Sequence, residues 1–193
     1  SFAAITGVVT ASTLAYGEAE RSQRQLEHAV IAVSHGTEAQ VKAISDASDA
    51  LQKKSGIDGD ALKMGAAQLS TFGLQSESVV NLTKSLADLT VNQDGVNASS
   101  DSYVASANTI AKALNGQFGV LEKSGIRFTE AQQKIIEYGT ETEKVAALQE
   151  GFAQNLRETT DTLDGIDAAN AKAARSFGEI FETVGKGLAP AIE

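Results

Sequence analysis

The chain contains no cysteine and no tryptophan, and only one proline, Pro190, among its 193 residues. Without cysteine there is no disulfide, no thiolate metal site and no cysteine nucleophile, and the redox compartment leaves no mark on the sequence. Without interior proline, helices meet almost no obligatory breaker. Aromatic residues make up 5% of the chain, too few for a β-sandwich, which draws on aromatic and β-branched side chains. Positive charge is also scarce: 16 Lys and Arg stand against 25 Asp and Glu, a net charge of -9. Such a surface repels the phosphates of nucleic acids and anionic lipid headgroups. No Lys/Arg cluster interleaved with aromatics is present, so direct nucleic-acid binding is not expected. The opening apolar stretch, SFAAITGVVTASTLAY, ends at Tyr16. It falls short of the roughly 20 apolar residues that a membrane span requires. It also lacks the positively charged lead of a signal peptide. It reads as a buried or partner-facing helix. With a start without Met and a stop just after Pro190, the chain is expected to be a fragment of something longer.

What is present is a repeated grammar of helix starts and stops. The 42% apolar fraction is rich in Ala and Leu, which suits helices packed through small residues. Seventeen glycines do the punctuating. A long helix is expected from Ser1 to about Ser34, stopped by Gly36 in the left-handed conformation. Thr37 with Gln40 forms a capping box for the next helix, whose inner face is Val41, Ile44, Ala47 and Leu51. Lys53 and Lys54 stand at its C-terminal end, where the helix dipole favours cations, and Gly56 ends it. Asp58 caps a helix with Leu62, Ala66, Leu69 and Phe72 inward, ended by Gly73. Ser76 opens a helix with the stripe Val79, Leu82, Leu86 and Leu89.

Residues 92 to 101, NQDGVNASSD, read as a loop, with Ser100 or Asp101 capping a helix that runs to Asn115. Its inward residues are Tyr103, Ala107, Ile110 and Leu114. From Ala107 to Gly139 the chain reads as a helix-loop-helix corner. A turn on Gly116 and Gly119 leads into a short apolar turn, VLEKSG. An extended link, Ile126-Arg127, precedes a helix capped by Thr129 that carries Ile135 and Ile136. Ile126 and Phe128 are the expected buried anchors of the corner. Thr140 with Glu143 forms a second capping box, opening a helix to about Asp164 with Val145, Leu148, Phe152, Leu156 and Leu163 on one face. A last helix is expected from Ile166 to about Gly185.

The expectation is an all-α fold: a compact multi-helix bundle of seven or eight helices joined by short Gly-stopped turns. Residues 1-193 form a single helical domain, with a long N-terminal helix (1-36), a first helical half (37-115), the corner (116-128) and a second half (129-193).

No residue pattern reaches the threshold for a reactive site. His28 and His35 share a helix face at a spacing of seven, but Gly36 intervenes before Glu38 and no third metal ligand is placed. Setting Gly95 at the sixth position of a calcium loop puts Thr90 first and Asp101 twelfth, a poor match; an Asx-rich capping turn explains the segment around Asp94 and Asp101. Glu18, Glu20 and Glu27 read as a solvated helix face rather than as paired carboxylates in a cleft. Gly116-Gln-Phe-Gly119 lacks the preceding strand and following Lys-Ser/Thr of phosphate-binding loops. The chain is therefore read as having no catalytic, cofactor-binding or metal residues, and as not an enzyme. The small-residue helix faces suit packing instead, within a core or along a self-association seam.

Four segments in order carry a family resemblance: LQKKSGIDGDALKMGAAQLSTFGL (51 to 74), SVVNLTKSLADLTVNQDG (78 to 95), ANTIAKALNGQFGVLEKSGIRFTEAQQKIIEYGTETEKVAALQ (107 to 149) and RSFGEIFETVGKGLAPAIE (175 to 193). The ALNG step followed by LEKSGIRFTEAQ, with a closing FG…VGKGLAP helix, resembles the tail-length tape measure proteins of long-tailed bacteriophages and prophages over roughly residues 45 to 193. The resemblance implies a helical structural protein of the virion tail, lying in several copies inside the tail tube and setting its length. It implies partners in the tail tube protein, tail tip proteins and tail assembly chaperones. It also implies location in the host cytoplasm during assembly, and contact with the host envelope during genome delivery. The family brings no functional residue that can be placed on this chain.

Overall fold

The computed structural model describes residues 2–156, with side chains from Leu14 onward. Eight α-helices and one π-helical turn make up this region, and no strand occurs among the described residues. The expectation of an all-α multi-helix bundle holds. Helix α1 (Phe2–Glu27) continues without a break into the π turn (His28–Val33). Then follow α2 (Glu38–Ser55), α3 (Gly59–Ser70), α4 (Ser76–Asp94), α5 (Ser100–Leu114), the single turn α6 (Gly119–Glu122), α7 (Glu130–Tyr138) and α8 (Glu141–Asn155).

Helix α3 is the hub, packed by α1, α2, α4, α5 and the π turn. Its sequence, GDALKMGAAQLS, explains this role. Eight of its twelve residues are buried, five of them Gly or Ala, so neighbouring backbones approach from several sides. A Cβ on Gly65 would lie 2.9 Å from Leu86 Cδ2 on α4 and 3.0 Å from the Tyr103 carbonyl oxygen on α5. Gly65 therefore marks a crossing that no larger residue fits without movement of backbone. Around it, Leu62, Leu69, Leu82, Leu86, Leu89 and Ile110 are fully buried. Each such side chain contributes about 1.5–3 kcal/mol relative to exposure. The α7–α8 hairpin closes the other side against α4 and α5. Buried Ser and Thr hydroxyls on these faces donate back to the carbonyl four residues earlier: Ser48 to Ile44, Ser70 to Ala66, Thr83 to Val79 and Thr90 to Leu86. These four hydroxyls thus enter the core with their donors matched, whereas the buried Ser106 hydroxyl on α5 has no hydrogen-bond partner among the described residues.

All but one of the capping expectations hold at atomic detail. Thr37 with Gln40 and Thr140 with Glu143 form the expected reciprocal capping boxes, and Thr129, expected as a cap, forms a third with Gln132. Asp58 accepts from the backbone N–H of Asp60 and Ala61. Gly56 and Gly73 take the left-handed conformation at the helix ends assigned to them.

Several boundaries differ from the expectation. The left-handed residue after the π turn is His35 (φ 54), not Gly36. Gly36 is required for space: its N–H donates to the Val30 carbonyl at 2.8 Å, and a Cβ there would stand 2.7 Å from Val30 Cγ1. On α2 the buried position is Ser48, with Ala47 half-buried. Helix α3 ends at Ser70, so Phe72 falls in the following turn and is 45% exposed rather than inward. Helix α4 runs on to Asp94, and Ser99, not Ser100 or Asp101, caps α5 by accepting from Ser102 N–H. On α7, Ile136 is buried and Ile135 faces out. Helix α8 stops at Asn155, with Leu156 extended (φ -97, ψ 136), well short of Asp164. Leu163 and the expected helix from Ile166 to Gly185 lie outside the described residues.

At the corner, Gly116 and Gly125 have positive φ, while Gly119 opens the short α6. Ile126 is fully buried and Phe128 nearly so, as expected. The Phe128 ring lies 5.6 Å from the Phe118 ring in a tilted arrangement and rests on Gly151 of α8. The absence of a side chain at Gly151 is what admits the ring.

Candidate functional site

The residues weighed for chemistry are dispersed. His28 is the first residue of the π turn, His35 is the left-handed residue beyond it, and Glu38 is in the first turn of α2. Among the described residues, no three His, Asp or Glu side chains gather as a metal site would require. Asp94 ends α4 and Asp101 lies in the first turn of α5, so the segment between them is a helix-capping connection. Glu18, Glu20 and Glu27 are all exposed on α1. Glu20 pairs with Arg24 at 3.0 Å, and Glu27 accepts from Gln23. Gly116 makes the turn after α5, and Phe118 goes into packing.

A polar cluster that the sequence did not announce joins the first three helices. Lys63 on α3 reaches Asp49 on α2 at 2.8 Å and Asp60 at 3.5 Å. Asp60 in turn accepts from Ser22 Oγ on α1 at 2.9 Å. Burial opposes charge on Lys63, but the hydrogen bond and attraction from Asp49, together with Asp60, outweigh it and hold its pKa above the usual 10.5. This is a structural clasp: Lys63 is satisfied by two carboxylates. Only the i, i+3 pair Asp60–Lys63 was visible as spacing; Asp49 meets Lys63 across a turn that the sequence does not orient.

The largest concavity among those described holds about 520 Å³. Helix α3 is its floor, presenting Met64, Ala67 and Gln68, while α1 and α5 are its walls. Arg21, Arg24 and His28 line the α1 wall, and Val104 stands on the α5 wall. No carboxylate lines it. Arg21, Arg24 and His28 follow one another at steps of three and four, one face of a helix. Met64, Ala67 and Gln68, at i, i+3 and i+4, share one face of α3, and Thr71 is its C-cap. Those spacings were legible in the sequence. That the two faces border one groove was not, because it depends on how α1 crosses α3.

A second exposed feature lies where helix ends meet. Ser34 Oγ donates to the Ser70 carbonyl at 2.6 Å, joining the end of the π turn to the end of α3. Val33 (43% exposed) and Phe72 (45% exposed) flank this bond in sequence. No described helix is long and apolar enough to cross a membrane. Compared with models of known families, with curated proteins and with solved structures, the chain matches none.

Proposed function

We propose that this chain is a section of a tail-length tape measure protein, a structural virion protein that sets tail length and takes part in tail assembly and genome delivery. The observation that carries the reading is the ordered set of segments from residue 51 to residue 193, with the ALNG step and LEKSGIRFTEAQ at its centre. The helical architecture is compatible with it. An unbroken helix over residues 2–156 would extend roughly 230 Å at about 1.5 Å per residue. The described residues instead fold back on a central helix. The section accordingly acts as a globular unit, at a tail end or after ejection, rather than as the extended ruler.

In-frame deletion of residues 37–156 from the full-length gene tests this. Tails of altered length, or tails of normal length that fail in assembly or genome delivery, support it. Normal tails with normal infection remove it. The groove between α1 and α5 favours a second reading, a helical binding module that contacts a host envelope component or another protein. That reading gains if tails form normally and only attachment to cells is lost.

A further inference from the structure

We propose that the groove walled by α1 and α5 is a docking slot for an acidic amphipathic helix of a partner protein. The proposal stands on the groove's geometry and charge and is independent of the tail reading.

Helices α1 and α5 both pack against α3, and half-buried Met64 and Gln68 with buried Ala67 form the base of a groove between them. The void of about 520 Å³ is that of a ligand cleft, and a groove between packed helices is a place where a further helix lays its apolar face. The floor fits such a guest. Ala67 is small enough for close backbone approach, and Met64 is an unbranched, adaptable contact. The rim selects its charge. In a chain of net charge -9, this groove is lined by Arg21, Arg24 and His28 and by no carboxylate. Arg24 shares its charge with exposed Glu20. Arg21 has no ion-pair partner among the described residues. A guest with Glu or Asp beside its apolar face gains both cations, whereas a basic guest meets repulsion at the rim.

Backbone geometry sets the wall apart from an ordinary helix. The π turn begins at His28, on the groove, and the left-handed His35 follows within eight residues. Wide turns of this kind recur at functional sites.

The test uses the whole chain and two labelled synthetic helices with identical Ala and Leu faces, one flanked by Glu and one by Lys. Fluorescence anisotropy is expected to show saturable binding of the Glu-flanked helix that weakens with salt, and little binding of the Lys-flanked one. Arg21→Glu with Arg24→Glu, both at exposed positions, is expected to weaken the Glu-flanked helix at least about tenfold and to favour the Lys-flanked one. Met64→Trp is expected to block both by filling the floor. Circular dichroism and the unfolding midpoint of each variant establish that it is folded. Equal binding of the two helices, or an affinity unmoved by the charge reversal in a folded variant, overturns the proposal. The absence of cysteine allows a single Thr71→Cys to carry a photo-cross-linker at the groove. A cross-link from it to residues 157–193 of the same chain, or to a second copy, also overturns the partner assignment.

Discussion

Phe128 and Gly151 show how one position can depend on another far along the chain. The ring of Phe128 is nearly buried, lies on the bare backbone of Gly151 and also meets the Phe118 ring in a tilted arrangement. Phe128→Ala is expected to lower the free energy of unfolding by about 3–5 kcal/mol in urea denaturation. A loss well under about 1 kcal/mol would mean that the corner is a loose linker. Gly151→Ala adds a Cβ where the ring now sits and is expected to cost about 1–3 kcal/mol, even though Ala is the better helix former. Removing the ring removes the clash. The double variant should therefore lose less than the sum of the two, a coupling that a double-mutant cycle reads directly.

Helix ends in this protein are fixed by short side chains. Thr129 accepts from Gln132 N–H at 3.2 Å while Gln132 returns a bond to Thr129 N–H at 2.9 Å. Thr129→Ala is expected to cost about 1 kcal/mol, and Thr129→Ser to restore most of it. If both variants unfold at the same denaturant concentration as the parent, the cap is not a stabilising element. At Thr140 the box has a pH signature. The Thr140 backbone N–H and then its hydroxyl donate to Glu143, against a small opposing effect of desolvation, and hold that carboxyl below its usual 4.5. A depressed folded-state pKa contributes stability that is present above about pH 4.5 and is lost as pH falls through the lower folded value. Glu143→Gln keeps an acceptor but cannot titrate, so its stability should lack this acid slope relative to the parent. Identical acid limbs would refute the assignment. These caps were readable in advance because a capping box is local, requiring only Thr and a Glu or Gln three residues on.

Across the whole molecule, α3 holds the other helices together, and Lys63 joins α1, α2 and α3 through Asp49, Asp60 and Ser22. A folded-state pKa raised above 10.5 contributes stability that is complete below about pH 10.5 and disappears as pH rises through the raised value. Lys63→Met removes this titration, so the stability gap between parent and variant should narrow on the alkaline limb. A gap unchanged at high pH would show that the clasp is electrostatically idle. A bundle folded around one central helix should also scatter as a compact particle in small-angle X-ray measurements. A rod-like profile would contradict the fold.

The sequence by itself determined what depends on near neighbours. The all-α class, the capping boxes at Thr37 and Thr140, the Thr129 cap, the Gly56 and Gly73 stops and the stripe from Val79 to Leu89 all follow from spacings within a few residues. It also placed Ile126 and Phe128 inside, since two apolar anchors in a polar turn have few other places to go. Only the tertiary structure decided which of two permissible stops was used. Val30 leaves no room for a Cβ at position 36, so Gly36 supplies space and His35 takes the left-handed turn. It likewise decided that Phe72 stays outside because α3 ends two residues earlier, and that Asp49 finds Lys63. The groove belongs to this second kind. Arg21, Arg24 and His28 are one face of one helix and Met64, Ala67 and Gln68 one face of another. They border a common slot only because α1 and α5 both pack against α3, α5 closely enough that a Cβ on Gly65 would meet Tyr103.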